Sequence, residues 1–357
     1  MKVRILEDAR IICENPGSLH NYFGWPTVGR LGDGSLLAVA SGLRVAHVCP
    51  FGKVIGIRSY DEGRTWSAPE IIIDTLLDDR DAGLLPLDNG NVIVTSFTNT
   101  PAFQRAYADR TKLPYINAYL DLVEAKGGWE KFYGATMAIS RDGGKHFSAP
   151  SVVRVSSPHG PCQLSDGTVL YVGIVHSAAE AGQSLIECHE VSDEGVLTLR
   201  SRLENGDDDR LFYNEPHARQ LQSGRILALI RAESRKDGIF TLFESHSDDL
   251  GYTFTRPRQV LSDNGGAPAH ILELPDGTVV AVYSHRAAPF GIRAMVSRDN
   301  GESFETNLVL TADEPSADLG YPSSVLLDTG DILTVYYSHI PEKNCTVLKQ
   351  VIWRLEV

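Results

Sequence analysis

Short apolar stretches rich in Val, Ile and Leu recur in pairs along the whole chain, and a polar turn containing glycine separates the members of each pair. Six such turns lie at Asp33-Gly34, Asp88-Asn89-Gly90, Asp166-Gly167, Ser223-Gly224, Asp276-Gly277 and Thr329-Gly330. Ile271-Leu272-Glu273-Leu274 precedes one of them, and Thr278-Val279-Val280-Ala281-Val282 follows it. Extended runs on either side of an Asp-Gly turn predict an antiparallel hairpin, because glycine accepts the positive φ of a tight turn. The turn glycines are 56, 77, 57, 53 and 53 residues apart. Spacing of that regularity predicts one hairpin-bearing sheet per repeat around a common axis. The expected fold is all-β: a six-bladed β-propeller over residues 1–357 as one domain. Strands near residues 3–12 and 347–355 should share a blade and close the ring, leaving no open edge.

The longest interval holds the one departure from strand patterning. Leu113-Pro-Tyr-Ile-Asn-Ala-Tyr-Leu-Asp-Leu-Val-Glu-Ala-Lys126 repeats its apolar residues at helical spacing and runs into Gly127-Gly128. It predicts a helix inserted between blades two and three, over one rim of the propeller. Such a helix could form part of a binding face or cover a blade edge or a neighbouring subunit, so a homo-oligomer is compatible with it.

A net charge of −13, with scattered Lys and Arg, argues against a nucleic-acid partner. No stretch approaches membrane-spanning length. The first residues carry charges where a secretion signal needs an apolar run. Five cysteines without CxxC spacing favour reduced thiols. These features together predict a cytoplasmic protein.

One octamer occurs four times: Ser59-Tyr-Asp61-Glu-Gly63-Arg-Thr65-Trp66, Ser140-Arg-Asp142-Gly-Gly144-Lys-His-Phe147, Ser247-Asp-Asp249-Leu-Gly251-Tyr-Thr253-Phe254 and Ser297-Arg-Asp299-Asn-Gly301-Glu-Ser303-Phe304. Asp and Gly two apart suit a tight turn, and the closing aromatic can pack under the next strand. The pattern is the Asp-box, and the chain resembles the sialidase-like Asp-box family of β-propellers. The boxes are expected to brace turns rather than to bind ligand.

Inner strands of a propeller converge on its axis, so residues at one offset from the turns should share a pocket. Trp25, Asp81, Glu215 and Tyr321 stand nine residues before their turn glycines; His217 and His270 stand seven before theirs, with the same strand parity. Asn99, His176 and Arg286 stand nine beyond, and Arg231 lies in the same part of its own hairpin. Asp79 and Arg80 flank Asp81, and His159 sits in Ser157-Pro158-His159-Gly160-Pro161. All of these are expected to line the axial mouth. The histidines invite a metal, but they lack the local spacing of a dedicated site, and neither a metal nor a cofactor is expected.

The resemblance to sialidases implies roles for some of these residues. Glu215 and Arg231 match the glutamate and arginine that flank one sialidase hairpin, Arg286 matches the arginine of the next blade, and Gly320-Tyr321-Pro322-Ser-Ser matches the nucleophilic tyrosine. A phenol beside a carboxylate can be activated as a nucleophile, and tyrosine nucleophiles are an exception to two-carboxylate glycosidase chemistry. Two departures stand out. Phe23-Gly24-Trp25-Pro26 replaces the family's Phe-Arg-Ile-Pro, so Trp25 takes the place of an arginine and could stack on a sugar. The loop Leu43 to Lys53 has no carboxylate, which makes His47 the expected proton donor, with Asp79 or Asp81 as rivals. The expected function is a sialidase-like glycoside hydrolase cleaving a terminal acidic or neutral sugar. A polysaccharide lyase and a non-catalytic glycan-binding propeller are the alternatives.

Overall fold

A computed structural model describes residues 1–108, 113–234, 236–261, 266 and 268–356. The molecule is built mainly of strands in a propeller-like arrangement. Each of the six turn glycines is left-handed, with φ between 78° and 90°. Each donates its N–H to the carbonyl of a leucine three residues earlier, namely Leu31, Leu87, Leu164, Leu221, Leu274 and Leu327. The six hairpins are therefore one turn repeated.

In the first five units the hairpin supplies the inner two strands and two more strands follow outward; in the last, Cys345–Glu356 follows the hairpin and Lys2–Cys13 from the start of the chain lies outside it. The unit after the second turn runs Arg80–Pro86, Val92–Thr98, Gly134–Ser140 and Ser151–Val153. Apolar clusters fill the space between successive units. One packs Leu37 and Val39 on Leu84, Val92 and Val94; another packs Leu170 and Cys188 on Ile226 and Ala228. A third packs Val325 and Val335 of the last unit on Ala38 and Ile55 of the first, so the stack returns on itself.

Among the described residues hydrogen bonding divides the strands into five sheets, one of them eight-stranded. That sheet joins the last unit to the first through a single parallel pair, Tyr22 with Thr346. As expected, the chain ends pair: Lys2–Cys13 lies antiparallel to Cys345–Glu356.

The insertion differs from expectation in its place. Helices Pro101–Tyr107 and Leu113–Lys126 connect Val92–Thr98 to Gly134–Ser140, inside the second unit rather than between the second and third. Spacing between turn glycines spans all later connections of a unit, so it could not say which one was lengthened. Thr100 caps the first helix by accepting from the Phe103 N–H at 3.1 Å, and Pro101 follows it. Ile116 and Leu120 of the second helix pack on Val45, Ala46 and Cys49, so the insertion supports the loop that carries His47. Among the described residues no helix is long and apolar enough to cross a membrane. All five cysteines are buried and unbridged.

The four octamers form one bonded turn, between the third and fourth strands of their units. In the last of them the Gly301 N–H donates to Ser297 Oγ at 2.9 Å, Ser297 Oγ donates to Asp299 Oδ1 at 2.7 Å, and Asp299 accepts from the Ser303 N–H at 2.9 Å. The residue before each glycine is also left-handed: Glu62, Gly143, Leu250 and Asn300. Trp66, Phe147, Phe254 and Phe304 close the octamers against the clusters between units. Ser297→Ala would leave the buried Gly301 N–H without its acceptor. It is expected to lower unfolding stability by about 2 kcal/mol, read as a reduced denaturation midpoint with unchanged slope.

Candidate functional site

Four inner strands carry the same irregularity. Gly24 pairs with Ser41 and Thr27 with Val39; Arg80 pairs with Phe97 and Gly83 with Thr95; Asn214 pairs with Arg231 and His217 with Leu229; Gly320 pairs with Tyr337 and Ser323 with Val335. In each case the inner strand has one residue more than its partner, which is a β-bulge. The residues in these bulges include Trp25, Asp81, Glu215 and Tyr321, held at φ of 56°, 49°, 45° and 48°. A left-handed residue other than glycine costs on the order of 1–3 kcal/mol, and such strain collects at functional sites.

All four line one cavity of about 950 Å³, together with His47, Arg80, Arg231 and Arg286. At its centre Tyr321 donates its hydroxyl to Glu215, 2.9 Å from Oε1 and 3.0 Å from Oε2. Arg231 Nη1 donates to Glu215 Oε2 at 2.7 Å and to the Tyr321 oxygen at 3.2 Å, while Nη2 holds Glu233 at 2.6 Å. Burial, with the Glu215 charge added, pushes the Tyr321 phenol well above its usual value. Against the cost of burial, Glu215, Tyr321 and Glu233 hold the Arg231 guanidinium firmly charged.

Beside Tyr321, whose ring centroid lies 6.4 Å from that of Trp25, the wall continues as an aromatic–cation stack. The Arg80 guanidinium lies 4.3 Å from the centroid of the Trp25 ring, and Arg44 lies 4.9 Å from it. Buried Asp78 pairs with Arg44 at 2.5 Å and Arg80 at 3.5 Å, so one carboxylate serves two guanidinium groups. His47 meets the Trp25 ring edge-on at 5.0 Å, and its Nδ1 is 2.7 Å from the Tyr22 hydroxyl. Burial lowers the His47 pKa, and Arg80 adds to the effect, although Asp318 Oδ1 at 3.6 Å opposes it. Arg286 donates to the Leu319 carbonyl at 3.0 Å and the Tyr337 hydroxyl at 3.2 Å, and among the described residues it has no carboxylate in ion-pair contact. Asp81 is 5% exposed, and its Oδ1 has no hydrogen-bond partner. Burial raises its carboxyl to about 7, with Glu215 reinforcing the shift and Arg80 opposing it.

Four of the expected lining residues lie elsewhere. Asp79 is fully buried and accepts from the Thr75 N–H at 2.8 Å and the Thr75 hydroxyl at 3.0 Å, which ties down the loop before its strand. His159, His217 and His270 stack within 5.4 Å of one another as a buried plug. The bulge explains the difference for His217: an extra residue between it and Asn214 breaks the parity that links offsets seven and nine. The plug is also unsuited to a metal. His217 Nδ1 accepts the Ile271 N–H and His270 Nδ1 accepts the Ser324 N–H, so both carry their proton on Nε2 and keep no lone pair for a ligand bond. Among the described residues no group of three or more His, Cys, Asp or Glu could hold a metal ion.

Sequence reasoning missed Glu233, Asp318, Tyr22 and Tyr337. Glu233 was within reach, since it stands nine residues beyond Gly224, the offset shared by Asn99, His176 and Arg286. Asp318 accepts from the Tyr22 hydroxyl at 3.0 Å and the Tyr337 hydroxyl at 3.1 Å. Burial opposes its ionisation, yet His47 and the two hydroxyls hold it at about 2. Nothing in the sequence pairs a residue in the first inner strand with one just before the last.

A search of curated proteins gives no significant match. Several solved structures share the fold. A protein of unknown function from Dyadobacter fermentans superposes with a TM-score of 0.77 at 21% identity, covering 99% of both chains. The intramolecular trans-sialidase of Ruminococcus gnavus gives 0.66 at 12% identity, with 99% of both chains covered. An α-L-arabinanase of Penicillium chrysogenum gives 0.66 at 13%, covering 99% of this chain and 98% of that one. At these identities the likeness is one of fold. The model of the BNR repeat-like domain matches residues 114–334, and on that match the chain belongs to the BNR repeat-like family, on a sialidase-like propeller fold.

Proposed function

We propose that the protein is a retaining glycoside hydrolase that removes a terminal acidic sugar from a glycan, on a single six-bladed propeller domain in which the eight-stranded sheet counts as two blades. The observation that carries this reading is the Tyr321 hydroxyl bonded to Glu215 at 2.9 Å and 3.0 Å, with Arg231 holding both, at the wall of a cavity of about 950 Å³. A phenol pushed well above its usual pKa is scarcely ionised on its own but is a competent nucleophile when its proton leaves as it attacks. Glu215 takes that proton while the phenol oxygen bonds to the anomeric carbon and the glycosidic bond breaks. Water then cleaves the tyrosyl glycoside, and Tyr321 recovers its proton. Arg286, a half-buried guanidinium with no carboxylate in ion-pair contact among the described residues, supports an anionic substituent on the sugar. Trp25, stacked on Arg80, forms the wall beside Tyr321.

Asp81 is assigned the proton transfer to the leaving oxygen, in preference to His47. A carboxyl raised to about 7 is substantially protonated near neutrality, whereas His47 is lowered and tied through Nδ1 to Tyr22. The unpartnered Asp81 Oδ1 supports the same choice. The sialidases and the arabinanase of similar fold support glycan processing as the class of activity. Five buried, unbridged cysteines support a reducing compartment.

The primary test is a screen of aryl glycosides of sialic acid, uronic acids and arabinose, run beside Tyr321→Phe. Turnover should fall by a factor of about 10³ or more in the variant, and a fluorinated glycoside should leave an adduct on Tyr321 by mass spectrometry. Full turnover without Tyr321 would exclude the nucleophile. An unsaturated, ultraviolet-absorbing product would indicate a lyase instead. Glu215→Gln should lose far more in kcat than in KM.

The pH dependence has a definite sign. Asp81 must be protonated to act as the acid, so kcat/KM should fall as pH rises through about 7, and this limb should vanish in Asp81→Asn. That variant should lose about 10²–10⁴-fold on alkyl glycosides and much less on aryl glycosides whose leaving group needs no proton. A raised folded-state pKa also means that stability is greatest below the unfolded value and is lost as pH rises through the folded one. Asp81→Asn should therefore be the more stable protein at pH values above that limb, by on the order of 3 kcal/mol, measured by denaturant titration.

A further inference from the structure

Two tyrosine hydroxyls, from Tyr22 and Tyr337, meet on the Asp318 carboxylate, one layer behind the residues that line the cavity. Each hydroxyl has one proton to give. Each also touches a second group: Tyr22 the His47 ring at 2.7 Å, and Tyr337 the Arg286 guanidinium at 3.2 Å. An ionised carboxylate is the stronger acceptor, because charge-assisted hydrogen bonds outweigh neutral ones. Both protons therefore go to Asp318, which lies 3.0 Å from Tyr22 and 3.1 Å from Tyr337. The hydroxyl oxygens are left to accept. Tyr337 accepts from Arg286, and the short contact between Tyr22 and His47 Nδ1 requires the imidazole to donate there, since two facing lone pairs would repel. A second proton on the ring would add a third positive charge to this loop. Arg44 already donates to the His47 carbonyl at 2.8 Å and Arg80 at 2.6 Å, and both guanidinium groups share Asp78. Burial, with Arg80 and Arg44 beside it, lowers the His47 pKa against the pull of Asp318. Nε2 therefore keeps its lone pair. It has no hydrogen-bond partner among the described residues, and the side chain is 52% exposed where it lines the cavity.

We propose that Asp318 is a positioning residue: through Tyr22 it fixes the proton of His47 on Nδ1, so that Nε2 accepts a hydrogen bond from a hydroxyl of the bound sugar. The proposal rests on the reading of the cavity as a sugar site and adds a specificity to it. A lone pair at this point takes a hydroxyl and turns away an ionised carboxylate, whose oxygens have no proton to give. Through Tyr337 the same Asp318 holds Arg286, the group that favours an anionic substituent. One carboxylate thus orients an acceptor on one branch and a cationic donor on the other, so a sugar with both kinds of group fits in one direction. Trp25 lies beside both His47 and Tyr321, with ring centroids 5.0 Å and 6.4 Å away, so the acceptor borders the same part of the cavity as the phenol.

The test reads the tautomer directly, from nitrogen–proton correlation spectra of the full chain with isotope-labelled histidine near neutral pH, and His47→Gln assigns the ring. In the wild-type protein Nδ1 should carry the proton and Nε2 should be bare. Asp318→Asn removes the charge that draws the Tyr22 proton, and a large share of the His47 proton should then move to Nε2. Tyr337→Phe leaves the Tyr22 branch intact and should leave the tautomer unchanged. The sugar contact is read in Tyr321→Phe protein, titrated with the methyl glycosides of sialic acid, glucuronic acid and arabinose. The Nε2 signal should shift on saturation with at least one of them, and adding Asp318→Asn should weaken that binding about three- to tenfold. A protonated Nε2 in the wild-type protein would overturn the proposal even if Asp318→Asn folds poorly. An unchanged tautomer in Asp318→Asn would overturn it too, as would binding by none of the three sugars. Turnover of an aryl glycoside with an Nε2 signal that ignores bound sugar would leave cleavage standing and remove the part of His47. A responsive Nε2 without turnover would do the reverse.

Discussion

The arrangement depends on a bulge repeated in four inner strands. A straight strand alternates its side chains and would divide them between the two faces of its sheet. The extra residue holds Trp25, Asp81, Glu215 and Tyr321 in left-handed backbone and lets all four reach one cavity. Prolines follow three of the four, at Pro26, Pro216 and Pro322, and restrict the backbone just where it bends. The strain is tolerable because long-range pairing on both sides of each bulge fixes the strand. The apolar clusters between units hold those strands in turn.

Within the cavity, charge is distributed unevenly. Arg231 is shared by Glu215, Glu233 and the Tyr321 oxygen, a set that is rigid and carries a surplus of negative charge. Arg286, 5.6 Å from the centroid of the Tyr321 ring, and the Arg44–Asp78–Arg80 group beyond Trp25 carry positive charge beside it. The buried Asp81 carboxyl, its Oδ1 without a hydrogen-bond partner, lines the same cavity, and its burial gives the site one acid near neutrality beside the Glu215–Arg231 ion pair.

Stability and chemistry are kept apart. The octamer turns lie between the third and fourth strands and satisfy their polar groups locally, within eight residues. The site draws on the inner strands and on loops that cross between units, as where Asp318 meets Tyr22 and His47. The insertion joins these regions, since its helix Leu113–Lys126 supports the His47 loop while Phe103 and Tyr107 of its helix Pro101–Tyr107 line the cavity.

How much could be read from the sequence follows from how local each feature is. The hairpins and octamers were legible because glycine, aspartate and serine act on their own neighbours, and the same chemistry returns six and four times. Glu215, Arg231 and Tyr321 were legible because their offsets from those turns are fixed. His217 and Asp79 were misread because period-two counting assumes an unbroken strand, and a bulge or a side chain turned back onto Thr75 breaks it. The helix itself could be read from its spacing, but the connection that holds it could not. The sequence by itself determined the repeating turns, the strand pattern and the residues near the axis. Only the tertiary structure decided which of them share a cavity, because that depends on pairings between strands hundreds of residues apart and on the desolvation they impose.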